Sequence, residues 1–231
     1  MNKTSRIISQ VRDEGRKLLL EPEAKAICLE YGIPVTEFKL AKNPEETVIF
    51  AEQIGFPVVL KIVSADIVHK SDAGGVVLDL KNEAEVLSAH HKIIENAKKY
   101  SPTAKVIGVL VQEMAPQSTE IIVGAIKDTQ FGQTVMFGLG WIFVELLDDV
   151  AFRIAPLKQE DAEEMITRVR AYPLLRGYRN TPPADIPAIV NVLLNASKLV
   201  MDYPDIKELD LNPIMTYDNG LKTVDARIIL E

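Results

Sequence analysis

The feature of the sequence that most restricts its fold is a succession of four strand-like segments in its second half. The segments read KVIGVLVQEMA, TEIIVGAIKD, QTVMFGLGW and VAFRIAPL, and short turn-forming stretches separate them. Strand-like runs that follow one another through short turns are typical of an antiparallel sheet. We therefore expect these four segments to pair with one another in a single sheet.

Helix-like segments flank these strands. Asn43 precedes a segment with proline at its first position and acidic residues in its first turn, which is the pattern of a capped helix, and Asn82 starts a similar segment. The other predicted helices cover residues 1–20, 21–31, 158–170 and 185–201. The pattern indicates an α+β protein with two lobes and a boundary near Ser101 and Pro102.

The charge and the cysteine content exclude several classes of protein. The 231-residue chain has a net charge of −7, whereas a nucleic-acid-binding protein needs a basic face. Cys28 is the only cysteine, so we expect no internal disulfide and a reducing, cytoplasmic location. The longest apolar stretch, TVMFGLGWIFVELL, is too short and too interrupted to span a membrane. Neither a nucleic acid nor a membrane is an expected partner.

The segment VVLKIVSADIVHKSDAGGVVLDL, residues 58–80, combines two strand-like runs with a loop that carries reactive side chains. Lys61 lies within the first apolar run, where it either reaches water from an edge strand or pairs with an anion. Gly74 and Gly75 allow the loop to approach a ligand closely or to move. His69 is a candidate nucleophile, although a loop histidine is more often a solvated surface residue.

The other two histidines, His90 and His91, fall in the predicted helix that Asn82 starts. Adjacent residues of a helix do not face a common target. We expect both side chains to lie on a solvated helix face.

The segment VLVQEMAPQSTEIIVGAI has the features of a hinge between two strands. A break in the strand at Glu113 and Met114 would expose an N–H and a C=O side by side, which are the groups that read the edge of a purine. Glu120 begins the next strand and could accept hydrogen bonds from ribose hydroxyls. An ordinary connection with a surface glutamate is the alternative.

The C-terminal segment ELDLNPIMTYDNGLKTVDARI places oxygen ligands on neighbouring strands. Asp210 and Asn212 are two residues apart and so face one side of a strand. A hairpin turn at residues 218–220 would bring Asp225, on the partner strand, towards them. Such ligands suit Mg²⁺, which takes one or two protein oxygens and completes its octahedron with water and phosphate. A polar sheet face with solvated aspartates is the alternative.

Together and in this order, these pieces resemble the ATP-grasp fold. The segments HKSDAGGV, VQEMAPQSTEIIVGAIKDTQFGQTVMFGLG, FRIAPL and LDLNPI are similar to those of the β subunits of ADP-forming acetyl-CoA synthetases, from about residue 20 to the end of the chain. The sequence departs from the family pattern at Gln133, Trp141 and Asn180.

The resemblance implies the reaction acyl-CoA + ADP + phosphate ⇌ acid + ATP + CoA, in a complex of two α and two β subunits. The α subunit would bind CoA, select the acid, form the acyl phosphate and phosphorylate a histidine of its own. The β subunit would hold Mg²⁺ and ADP or ATP between its two lobes. The implied domains are an N-terminal helix (1–20), a small lobe with a phosphohistidine loop at 64–76 (21–101) and a large lobe with the metal site (102–231).

The resemblance also implies a role for each candidate residue. His69 would carry the phosphoryl group on a loop that Gly74 and Gly75 allow to swing, and Asp210 would orient its ring. The implied nucleotide ligands are Lys61, which would steady the phosphates, together with Glu113, Met114 and Glu120. Asn212 and Asp225 would hold Mg²⁺.

Three alternatives remain open at this point. One is another ATP-grasp ligase that forms an acyl phosphate directly and needs no histidine, and a second is a subunit similar to that of succinyl-CoA synthetase. The third is a non-catalytic nucleotide-binding subunit, which would have no need for Lys61, His69 and Asp225 together.

Overall fold

The computed structural model describes residues 2–140, 143–144, 147–179 and 181–231, so the predicted departures at Trp141 and Asn180 lie outside the described residues. The helices are α1 (Lys3–Asp13), α2 (Glu21–Glu30), α3 (Pro44–Ile54), α4 (Glu83–Tyr100), α5 (Gln159–Arg168), α6 (Tyr172–Leu175) and α7 (Ile186–Asp202). The strands are β1 (Phe38–Ala41), β2 (Val58–Ser64), β3 (Val76–Leu80), β4 (Val106–Glu113), β5 (Thr119–Asp128), β6 (Gly132–Leu139), β7 (Val150–Ile154), β8 (Ile206–Thr216), β9 (Leu221–Thr223) and β10 (Ala226–Leu230).

The chain divides into two compact units, each with its own sheet. The smaller unit contains Leu20–Pro22 and Thr36–Ala115, and the larger unit contains Met1–Leu19, Glu23–Val35 and Pro116–Glu231. The expected α+β class with two lobes is therefore confirmed. None of the helices in the described residues is long and apolar enough to cross a membrane.

The smaller unit is built on an antiparallel sheet with the strand order β1-β4-β2-β3. Its core joins α3 and α4 to one face of this sheet, where Leu60 and Ile62 of β2 are buried. Because side chains alternate along a strand, Lys61 points to the opposite face. The expected asparagine caps are confirmed, since the side chains of Asn43 and Asn82 accept hydrogen bonds from the third residue beyond them.

The larger unit is built on a second antiparallel sheet with the strand order β10-β8-β5-β6-β7, and β9 pairs with β8. Helix α7 has eight buried residues, of which seven belong to the hydrophobic core of this unit, and Asp185 caps its first turn by accepting from Ala188 N–H at 3.0 Å. The other carboxylate oxygen of Asp185 accepts from Gly220 N–H at 2.9 Å. This carboxylate thereby links the start of α7 to the β8–β9 turn.

The expected pairing of four successive strands in one sheet is wrong for the first of them. β4 lies between β1 and β2, where Val111 pairs with Lys39 on one side and with Leu60 on the other. Five consecutive residues of β4 are buried, and a strand that is apolar on both faces is stable only where both faces are covered. The division between the units accordingly falls after Ala115 rather than near Ser101.

The N-terminal segment also differs from the expected helix over residues 1–20. Helix α1 ends at Asp13, and Gly15 adopts a positive φ of 69°, which a residue without a Cβ reaches most readily. The next residues run extended beside β10, where Leu19 N–H donates to Ile228 O at 3.0 Å. The first 19 residues group with the larger unit.

The C-terminal hairpin is confirmed at its turn, but the returning strand is divided. Tyr217 N–H donates to Gly220 O at 3.0 Å, and the chain then returns as β9 and β10 with Asp225 in the connection between them. Pro213 of β8 has no N–H to donate, so the ladder is interrupted opposite this connection. The expectation that Asp225 lies on the partner strand itself is therefore wrong.

Candidate functional site

His69 lies exposed in the loop that joins β2 to β3. The first part of this loop is tied down by Asp66, whose carboxylate accepts from Lys105 N–H at 2.7 Å. A tight turn follows, in which Ala73 N–H donates to His69 O at 3.2 Å and Gly75 N–H donates to Lys70 O at 2.8 Å. The loop thus carries the exposed imidazole of His69 on a turn that is held by backbone hydrogen bonds.

The two glycines are required by the local packing of this turn. Gly74 has a φ of 58°, in the left-handed region, and its carbonyl accepts from the Asn96 side chain at 2.9 Å. A Cβ on Gly75 would lie 2.5 Å from Ile62 Cγ2 and 3.0 Å from the Lys70 carbonyl oxygen. Their expected role in ligand binding or loop movement stays a prediction.

Lys61 is buried on an inner strand and is paired with a carboxylate. β2 lies between β4 and β3, so of the two alternatives for Lys61 the edge-strand position is wrong. The Lys61 ammonium lies 2.7 Å from Glu21 Oε1, and both side chains are about 5% exposed. The other oxygen of Glu21 binds the ammonium of Lys70, the residue that follows His69. Burying a lysine is costly unless it is paired, and Glu21 supplies that pairing.

The hinge at the end of β4 differs from its prediction. Glu113 N–H donates to Glu37 O at 3.0 Å, and Met114 N–H donates to Pro57 O at 3.2 Å, so neither N–H is open to a purine. The Glu113 carboxylate accepts from Glu37 N–H at 2.7 Å. The wider assignment of Glu113 and Met114 to the nucleotide remains a prediction.

Glu120 lies at the start of β5, opposite Met215 of β8. It borders a cavity of about 360 Å³. The other residues that line this cavity are Ser118, Thr119, Leu139, Gly140, Phe143 and Leu174. The mostly apolar lining with one carboxylate at its edge could accommodate a flat ring and accept a hydrogen bond from a hydroxyl group.

Asp210 lies among charged side chains on the sheet face that points away from the larger unit's core. On β8, Leu209 and Leu211 are buried in the core, and Glu208, Asp210 and Asn212 alternate with them. Arg227 of β10 lies directly opposite Asp210. Burial, together with the negative charges of Glu208 and Asp225, raises the pKa of the Asp210 carboxyl to about 6, although the positive charge of Arg227 opposes the shift.

Asn212 and Asp225 are neighbours, because Asn212 N–H donates to the backbone oxygen of Asp225 at 3.2 Å. In the described part of the chain, no three or more His, Cys, Asp or Glu side chains come together as a metal cluster. One amide and one carboxylate nevertheless fit Mg²⁺, which keeps several waters and binds substrate phosphates.

Sequence reasoning missed the contributions of Glu21, Lys70 and Arg227, since partners distant in sequence leave no local pattern. It was also wrong about His90, which is buried and whose Nδ1 lies 2.8 Å from Thr47 Oγ1, whereas His91 is exposed as expected. The departure at Gln133 has a structural use, because its side-chain amide donates to Ile206 O at 2.9 Å and so joins β6 to β8.

The chain is similar to known proteins over nearly its full length. A family model described as an ATP-grasp domain matches residues 10–230. The β subunit of acetate–CoA ligase (ADP-forming) I from Pyrococcus furiosus is 50% identical over 99% of this chain and 98% of its own length. Acetate–CoA ligase (ADP-forming) I from Archaeoglobus fulgidus is 44% identical, and there the chain matches only 33% of the relative's length.

Solved structures of acetyl-coenzyme A synthetase 1 from Korarchaeum cryptofilum share the fold closely. The complex with coenzyme A, Ca-AMPCP and HgCl⁺ has a TM-score of 0.97 at 53% identity, with 99% of this chain and 100% of that chain covered. Another structure contains a phosphorylated phosphohistidine segment in a site I orientation (TM-score 0.93, 51% identity, 99% and 100% covered). A third, with Mg-AMPPCP, has this segment pointing towards the nucleotide-binding site (TM-score 0.88, 50% identity, 99% and 100% covered). The chain thus belongs to the β subunits of the ADP-forming acetyl-CoA synthetases, which have the ATP-grasp fold.

Proposed function

We propose that this chain uses His69 as a carrier that accepts a phosphoryl group and transfers it to ADP. The observation that carries the proposal is the exposed imidazole of His69 on a loop whose turn is held by backbone hydrogen bonds. In a relative of the same family, the phosphohistidine segment has been solved in two orientations. The overall reaction would be acyl-CoA + ADP + phosphate ⇌ acid + ATP + CoA.

The chemistry suits a neutral imidazole. A ring nitrogen of His69 attacks the phosphorus of a phosphorylated histidine of the partner subunit, a new N–P bond forms, and the N–P bond to the partner's imidazole breaks. In the second step a β-phosphate oxygen of ADP attacks the same phosphorus, the N–P bond breaks and the imidazole is regenerated. Such transfers depend mainly on positioning and on neutralisation of charge. Asp210 is proposed to orient the imidazole ring by accepting a hydrogen bond from the N–H of the ring nitrogen that does not attack, which fixes the tautomer and supports the imidazolium form.

The remaining candidate residues are proposed to bind the nucleotide. Lys61 would bind a phosphate through its ammonium group, and Glu120 would accept from the ribose at the edge of its cavity. Glu113 and Met114 would contact the base through groups other than their occupied N–H donors. Gly74 and Gly75 would let the turn approach the phosphates.

Asn212 and Asp225 are the proposed metal ligands. When bound, Mg²⁺ would neutralise the charge of the nucleotide phosphates. The support is the backbone hydrogen bond that makes Asn212 and Asp225 neighbours, together with the relative that was solved with Mg-AMPPCP.

Membership of a β-subunit family implies an α-subunit partner. We propose that this partner binds CoA and selects the acid, and that two copies of each subunit form the complex. We also propose a cytoplasmic location, which suits a chain whose single cysteine is buried and unpaired.

Calorimetric titration with Mg-ADP tests the nucleotide part of the proposal. The wild-type chain should bind, and the variants Lys61→Met and Asp225→Asn should each bind at least about 10-fold more weakly. The half-buried carboxylate of Asp128, at the end of β5, provides the control, since Asp128→Asn should bind as the wild type does. Absence of binding by the wild type at millimolar nucleotide would overturn the assignment.

Co-expression with the partner subunit tests the overall reaction. Light scattering of the purified complex should give the mass of two α and two β subunits. The complex should form ATP from an acyl-CoA, ADP and phosphate, whereas the isolated chain should not. Full activity of the isolated chain would contradict the division of labour between the subunits.

A further inference from the structure

The Glu21 carboxylate is an unusual feature of the smaller unit, because it is buried and forms ion pairs with two lysines, one on β2 and one in the loop after β2. Glu21 is the first residue of α2, where a carboxylate is favourable to the helix dipole. That role would be met by an exposed side chain. Here the side chain is 5% exposed and lies 2.7 Å from the Lys61 ammonium. Its burial therefore needs an explanation beyond the helix.

The second lysine connects Glu21 to the loop that carries His69. Lys70 binds Oε2 of Glu21, and its own backbone oxygen accepts from Gly75 N–H at 2.8 Å. Gly75 in turn is attached to β2, since its carbonyl accepts from Ile62 N–H at 2.7 Å. Lys70, the residue after His69, is thus held both by the ion pair of its side chain and by a hydrogen bond of its backbone.

We propose that Glu21 is a positioning residue that couples phosphate binding at Lys61 to the position of the His69 loop. The inference rests on the proposed function of Lys61 and His69. The Glu21 carboxylate is shared between the two ammonium groups. A phosphate that binds Lys61 therefore weakens the Lys61–Glu21 ion pair and changes the strength of the Lys70–Glu21 ion pair. By reciprocity, a loop that moves Lys70 away changes how strongly Lys61 binds phosphate.

The geometry of the turn gives this coupling a direct physical readout. The amides of Ala73, Gly74 and Gly75 are hydrogen-bonded within the turn, to His69, Ser71 and Lys70 respectively. Their exchange with solvent deuterium therefore reports how firmly the turn is held. This measurement requires no turnover and does not depend on whether His69 is phosphorylated.

Amide hydrogen exchange of the full chain, with and without Mg-ADP, is the first arm of the test. In the wild type, Mg-ADP should change the exchange of residues 69–75 several-fold. Glu21→Gln should raise exchange about 10-fold without nucleotide and should abolish the response to Mg-ADP. The proposal is overturned if the Glu21→Gln turn exchanges and responds as the wild type does.

Glu23→Gln is the matched control, because Glu23 lies in the same first turn of α2. Both of its carboxylate oxygens bind Arg16, at 2.8 and 2.9 Å, and it contacts neither loop lysine in those bonds. The same substitution therefore breaks a comparable ion pair of the helix. This variant should retain the wild-type exchange and the response to nucleotide.

Phosphorylation of His69 from radiolabelled ATP, in the complex with the partner subunit, is the second arm. Glu21→Gln and Lys70→Met should each slow labelling about 10-fold, and the double variant should be slowed about 10-fold rather than about 100-fold. Independent, multiplicative effects would overturn the coupling through Lys70. Lys70→Met also covers the case in which Glu21→Gln folds poorly, because it removes only the loop half of the contact.

The two arms separate this inference from the proposed function. If the wild type is never labelled on histidine, the carrier function fails, and the exchange data still decide whether Glu21 anchors the turn. If the wild type is labelled and Glu21→Gln is labelled at the rate of Glu23→Gln, the carrier function stands and the inference falls.

Discussion

Lys61 and Asp210 are both charged side chains on inner strands, in the smaller and the larger unit respectively, but their surroundings are opposite. Lys61 lies 2.7 Å from a carboxylate of opposite charge. Asp210 is surrounded by Glu208 and Asp225 as well as by Arg227, and burial with the like charges holds its pKa at about 6. The first group is neutralised by the protein itself, whereas the second is most stable when a cation comes close.

This difference suits the two proposed tasks. A lysine that already has a carboxylate can exchange it for a phosphate without a large change in local charge. A carboxylate among like charges gains from an approaching imidazolium or metal ion. The comparison therefore predicts different effects when each residue is replaced.

The largest loss of activity is expected for His69, the residue that is proposed to carry the phosphoryl group. Its replacement sharpens the comparison, because it separates a residue that reacts from residues that position it. His69→Ala removes a whole step, so ATP formation by the complex should fall by far more than the roughly 10²- to 10³-fold typical of losing one stabilising donor. Nucleotide affinity by calorimetry should stay nearly intact. His91→Ala, at an exposed helix position, is the control. Near-normal turnover of His69→Ala would make His69 a surface residue.

Replacement of the paired lysine should destabilise the fold. Lys61→Met leaves the buried Glu21 paired with Lys70 alone, and we expect a loss of about 1–3 kcal/mol in the free energy of unfolding, because a buried carboxylate loses one of its two charged partners. Urea unfolding measures this loss. Lys81→Met, which removes an exposed ion pair with Asp79, should leave the unfolding midpoint unchanged. Equal stability of Lys61→Met and wild type would break the comparison.

Replacement of the crowded carboxylate should have the opposite effect on stability. The pKa of Asp210 is raised from 3.8 to about 6 in the folded protein, so ionisation costs stability as the pH rises through that window. Asp210→Asn should therefore be more stable than wild type at pH 7 by about 1–3 kcal/mol, and the gain should vanish near pH 4. Turnover should fall about 10- to 100-fold, since the proposed role is to orient a ring. A pH-independent loss of stability would contradict this reading.

The smallest effect is expected at His90, a buried ionisable group whose hydrogen-bond partner is the neutral Thr47. Burial lowers its pKa below 6.5, the nearby His91 lowers it further, and Glu45 opposes the shift. Protonation therefore costs stability as the pH falls below about 6.5. Thermal unfolding of His90→Gln should lose this part of the pH dependence, while His91→Gln should keep it. If the midpoint of thermal unfolding of His90→Gln fell with decreasing pH as in the wild type, protonation of His90 would cost no stability, and Thr47 would tolerate the charged ring.

Local patterns predicted the helix caps well, because a cap depends on residues three positions apart. Asn43 and Asn82 bind the third residue beyond them, as their sequences indicate. The pairing of β2 with β3 and the turn before Gly220 were predictable for the same reason. Placement of β4 was not, because its partners β1 and β2 lie tens of residues earlier and an apolar run does not say which strands it separates.

The sequence by itself determined the family, the capped helices and the presence of a reactive loop with His69 and its glycines, since all of these are written in short stretches of neighbouring residues. Only the tertiary structure decided that Lys61 is an inner, paired lysine, that the N–H groups of Glu113 and Met114 are occupied, and that His90 is buried. Burial and ion pairing depend on side chains far apart in sequence. Glu21 and Lys70, 49 residues apart, meet only because the tertiary structure brings the start of α2 to the loop between β2 and β3.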